Sequence, residues 1–69
     1  MIEVFKTNVV KPSQAKTILK VLQENFNDFA INFDLSDCDK VLRVQGSSIS
    51  PEEIIKLVKA YGYQCEVLD

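Results

Sequence analysis

Strand, helix, strand, strand, helix, strand is the element order that these 69 residues predict. That order makes an α+β fold, an antiparallel sheet of four strands with two helices packed on one face. Three observations carry it. Two segments repeat apolar residues at helical spacing. Four shorter segments are rich in β-branched or alternating apolar residues. Gly, Pro, Asn, Asp and Ser separate them.

The first strand spans Ile2 to Val10, where Ile2, Val4, Phe5, Thr7, Val9 and Val10 favour extended backbone. Lys11-Pro12-Ser13 breaks it, and Pro12 suits the first turn of a helix. From Ser13 to about Phe26, Ala15, Ile18, Leu19, Leu22 and Phe26 trace one helical face. Asn25 to Asp28 supplies turn chemistry. Phe29, Ile31, Phe33 and Leu35 alternate with Ala30, Asn32 and Asp34, as in a half-buried strand. Ser36 to Asp39 turns the chain into Lys40 to Gln45, with Leu42 and Val44 on one face.

Gly46-Ser47-Ser48 is a loop. Ser50-Pro51-Glu52-Glu53 is a helix start, with Ser at the N-cap, Pro at N1 and Glu at N3. Ile54, Ile55, Leu57, Val58 and Tyr61 form the apolar face of that helix, and Gly62 ends it. Tyr63 to Leu68 is the last strand. The whole is a ferredoxin-like plait, read as a single domain over 1–69. In a plait the loops at Val9 to Ser13, Ser36 to Asp39 and Tyr61 to Tyr63 lie at one end. A site is expected there, on loops held by a rigid scaffold.

Composition narrows the function. A core this small leaves little room for an enclosed substrate cavity. The net charge is −2 and the pI about 5.0, which gives no electrostatic reason to expect nucleic-acid binding. The Lys40–Gln45 strand also lacks the aromatics on which RNA-recognition plaits stack bases. There is no His, so no Ser-His-acid set exists. Gly46 and Gly62 are the only glycines, too few for a phosphate-binding loop. The expectation is a non-enzyme without a resident cofactor. Apolar runs are too short for a membrane span, and no signal-peptide pattern opens the chain, so a cytoplasmic location is expected.

The frame resembles a known family. It is similar to heavy-metal-associated domains, as in copper chaperones and the N-terminal modules of copper-transporting ATPases. Their pattern is a strand, Gly-Met-x-Cys-x-x-Cys, and an amphipathic helix with an apolar residue four positions beyond the second Cys. Here Val9 stands at the Met, Lys11 and Gln14 at the two Cys positions, and Ile18 at the apolar position. Ile55, Val58 and the Gly62-Tyr63 pair match the family's C-terminal part. The Cys-x-x-Cys motif itself is absent. Cu(I) requires thiolates, Gln14 is a poor soft-metal ligand, and Lys11 is a cation where a cation would bind. The resemblance therefore implies a domain without the usual carrier site, acting as a protein-interaction or accessory module linked to metal transport or homeostasis.

Partner-binding candidates are Lys11, Gln14, Lys16 and Lys20, with Tyr63 beside the degenerate loop. Lys6, Lys11, Lys16 and Lys20 make the first 23 residues basic against Glu3 alone, whereas residues 24 to 39 hold five acids and no base. That dipole suits docking on an acidic domain, such as one of a metal transporter. Both a monomer and a weak dimer are compatible with it.

Two other readings remain open. One is a metal carrier or sensor with altered ligands, using Cys38 in its turn, helped by Asp37 and Asp39. The other is a small-molecule regulatory plait. Cys65 reads as a small buried hydrophobe. It sits on the opposite sheet edge from the strand leading to Cys38, ~14 Å away, so the two cysteines are not expected to pair. Asp34, Asp37 and Asp39 read as a solvated acidic turn, because a calcium loop would need a Gly and a terminal Glu that are missing.

Overall fold

A computed structural model describes residues 1–68. The elements are β1 (Ile2–Thr7), α1 (Pro12–Asn25), β2 (Ala30–Asp34), β3 (Val41–Gln45), α2 (Pro51–Ala60) and β4 (Cys65–Val67). The four strands form one antiparallel sheet in the order β2-β3-β1-β4. This is the ferredoxin-like plait.

Period-2 alternation turns Phe5 and Thr7 of β1, Leu42 and Val44 of β3, and Cys65 of β4 toward the helices. Ala15, Ile18 and Leu22 of α1 and Ile54 and Val58 of α2 meet them there. Phe5, Ile18, Leu22, Leu42 and Ile54 are fully buried. Phe26, Phe29, Ile31, Phe33 and Tyr63 close the rim of this core. The rings of Phe26 and Phe29 stack 5.5 Å apart, and Phe29 lies against Gly46, where a Cβ would strike the ring.

Two strands differ from the sequence reading by more than one residue at an end. β1 ends at Thr7, not Val10. Val9 is fully buried and its N–H donates to the Thr7 hydroxyl at 3.2 Å, which curls the chain off the sheet. β4 is confined to Cys65–Val67, because the Gln64 N–H donates to the Asn8 side chain instead of the sheet. The second helix starts at Pro51 as expected, but the Ser50 hydroxyl makes no capping bond. Its C-terminus is a Schellman turn. Gly62 takes φ +93°, its N–H reaches the Lys59 carbonyl at 2.9 Å, and the Tyr63 N–H points to the Val58 carbonyl at 3.5 Å. No helix among the described residues is long and apolar enough to cross a membrane.

Candidate functional site

The three loops expected at one end do meet there, and two small polar residues join them. Thr7 is buried at the end of β1. Its hydroxyl donates to the Lys40 carbonyl at 2.6 Å and its N–H to the Asp39 carbonyl at 3.1 Å. Those bonds fasten the β2–β3 turn to β1. Asn8 follows, and its Oδ1 accepts the Gln64 N–H at 2.8 Å. That bond fastens the α2–β4 loop to the β1–α1 loop. One dipeptide thus holds all three loops. Lys40 adopts φ +47° where the turn rejoins β3, and its ammonium donates to the Leu35 carbonyl at 3.0 Å.

The β1–α1 loop is occupied by its own helix start. Lys11 is the N-cap residue in extended conformation, with Pro12 at N1. The Gln14 Oε1 turns back and accepts the N–H groups of Lys11 at 3.1 Å and Val10 at 3.3 Å. This is the returning half of a capping box, and lysine has no acceptor with which to complete the other half. Gln14 is therefore engaged in holding the loop. Its neighbour Val10 is 61% exposed.

The other predicted residues fall in different settings. Lys16 and Lys20 are exposed on α1, one turn apart. The one ion pair among the described residues, Lys6–Asp39 at 3.9 Å, involves neither of them nor Lys11. Tyr63 is half-buried against the core rim. The exposed aromatic at this end is Tyr61, at 50%. The sequence reading put Tyr61 on the apolar face of α2, but the helix stops at Ala60 and the Schellman turn redirects the chain.

Cys38 and Cys65 are both free thiols in unlike surroundings. Cys38 is exposed, and its sulfur and the carboxylates of Asp37 and Asp39 all lie within 4.8 Å of one another. Asp37 also accepts the Asp39 N–H at 2.9 Å, and Asp39 faces Lys6. Asp34 stands apart from this group, since the Ser36 hydroxyl bonds to its carboxylate and holds it below the usual carboxylate range. Cys65 is buried beside a cavity of about 380 Å³ lined by Lys6, Thr7, Lys59, Gln64 and Glu66. Burial pushes its thiol up to about 11, so it stays neutral and unreactive near neutral pH.

Thr7 and Asn8 are the residues that sequence reasoning missed as parts of this end, whereas Val10 and Tyr61 lie in loops expected there without being singled out as contact residues. Asn8 had a local signal, an Asn where a strand gives way to a loop, but its partner lies 56 positions away. No family model, no curated protein and no solved structure matches the chain.

Proposed function

We propose that the chain is a cytoplasmic protein-interaction module of heavy-metal-associated type, lacking the Cys-x-x-Cys site, that works beside metal-transport machinery through contact and not turnover. The resemblance in frame supports the family. The state of the loop end supports the mode of action. Its backbone is tied by Thr7, Asn8 and Gln14, while Val10 and Tyr61 stay exposed on that fixed base. Apolar side chains displayed from ordered loops lose little entropy on docking. Lys11, Lys16 and Lys20, exposed and without an ion-pair partner among the described residues, complement an acidic partner.

A photo-crosslinking residue at position 10 or 61, with a control at Ser47 on the β3–α2 loop, tests this. One partner captured from 10 and 61 but not from 47, and lost on charge reversal of Lys16 and Lys20, is the expected result. Capture from 47 alone would overturn it.

A second reading is favoured by the closeness of Cys38 to Asp37 and Asp39. It makes the turn a thiolate-carboxylate metal site, distinct from the β1–α1 loop. Metal uptake that disappears in Cys38→Ser would establish it.

A further inference from the structure

The sheet has two open edges, β2 and β4. The Gly46 N–H donates to the Met1 carbonyl at 3.0 Å, and the Leu68 N–H to the Val4 carbonyl at 2.8 Å. Antiparallel bonds alternate along a strand, so β1 turns odd-numbered residues to β3 and even-numbered ones to β4. Val44 and Leu42 of β3 then face β1, and Val41, Arg43 and Gln45 face β2, where they pair with Asp34, Asn32 and Ala30. The backbone groups of Ile31 and Phe33 are left pointing off the edge.

The ends of this free stretch are closed. The Phe29 carbonyl accepts Gln23 Nε2 at 2.7 Å, and the Leu35 carbonyl accepts Lys40 Nζ at 3.0 Å. Between these closures β2 carries no Lys, Pro or bulge, the usual guards of an edge strand. Ile31 and Phe33 are only half-buried, with their side chains on the helix side of the sheet.

We propose that β2 pairs antiparallel with β2 of a second copy, about a two-fold axis at Asn32. In that register Ile31 and Phe33 of each copy exchange backbone hydrogen bonds with Phe33 and Ile31 of the other, and the half-buried side chains cover one another. Asp34 of each copy faces Ala30 of the other. A shift by one residue of the axis to Ile31 would need the Phe29 backbone, which Gln23 and Phe26 already engage. A shift to Phe33 would need the Leu35 backbone, which Lys40 already engages. Asn32 meets Asn32 at the axis, with its Oδ1 accepting from Arg43 at 3.3 Å and its amide donors free to bridge.

The β4 edge does not offer the same partner. Its free groups belong to Cys65 and Val67, so self-pairing there would be centred on Glu66 and would oppose two carboxylates. A second copy is thus the occupant whose charges fit β2 and not β4.

Sedimentation equilibrium of the reduced protein from roughly 10 μM to 1 mM tests the pairing. A monomer–dimer equilibrium is expected. Asn32→Asp and Asn32→Lys should each weaken it by about fivefold or more, and mixing the two variants should restore association. Asn32 is exposed, so both variants should stay folded and melt cooperatively at a concentration where the parent is monomeric, with Asn32→Lys slightly lower because it opposes Arg43, and that measurement separates lost pairing from lost folding. A protein that stays monomeric at the top of the range, or a dimer indifferent to both charges, would overturn the proposal.

Discussion

The β1–α1 loop and the β2–β3 turn lie at the same end of the plait, yet they differ in what their polar groups do. In the first, the N–H groups of Val10 and Lys11 are taken by Gln14, the N–H of Val9 by Thr7, and the side chain of Asn8 by Gln64. In the second, the backbone is fastened to Thr7 but Cys38 stays exposed, with two carboxylates close by. The comparison separates a loop that has become a brace from a turn that retains reactive groups. Position in the fold is shared; chemical availability is not.

The largest effect should come from the residue that serves both regions. Thr7→Val keeps the shape of the side chain but leaves the Lys40 carbonyl and the Val9 N–H without their partner. A loss of about 1–3 kcal/mol in urea unfolding is expected. A change confined to a few tenths would show that the hydroxyl does not brace the two loops. Gly62→Ala should follow at about 1 kcal/mol, because φ +93° places its Cβ against the backbone although no neighbouring side chain crowds it. Gln14→Ala should cost about 1 kcal/mol by freeing two N–H groups at the start of α1. Cys38→Ser in the exposed turn should stay within about 0.5 kcal/mol. Equal costs for Gln14→Ala and Cys38→Ser would erase the distinction between brace and open turn.

The thiols sharpen the same contrast. Iodoacetamide near neutral pH should modify Cys38 and spare Cys65. Because burial raises the Cys65 thiol from 9.0 to about 11, the neutral thiol favours the folded state. That contribution is complete below pH 9 and is lost as the pH climbs toward 11. A Cys65→Ala variant with an unchanged alkaline unfolding limb would show that another group governs it.

The plait was legible because its signals are local. Ala15, Ile18 and Leu22 repeat at helical spacing, Ile31 and Phe33 alternate, and Pro51 and Gly62 mark the start and stop of α2 within its own few residues. The brace was not legible. The Thr7 hydroxyl acts on a carbonyl 33 positions away, and nothing near it in sequence distinguishes it from another β-branched strand residue. Tyr61 fits the helical spacing of α2, and its exposure follows only from the turn made around Gly62. Gln14 was singled out as a substituted ligand position. Its role as a cap required knowing that its Oε1 turns back to the N–H groups of Val10 and Lys11, a choice of rotamer that the spacing of residues does not fix.

The central claim is that the braced β1–α1 loop presents a protein-docking surface and holds no metal. An anaerobic competition for Cu(I) between the reduced protein and a chelator, with Cys38→Ser alongside, measures this most directly. The expected result is that the chelator keeps the metal in both cases. Uptake that survives removal of both thiols, Cys38→Ser with Cys65→Ala, and is lost on Gln14→Ala would contradict the claim, since the ion would then depend on the β1–α1 loop.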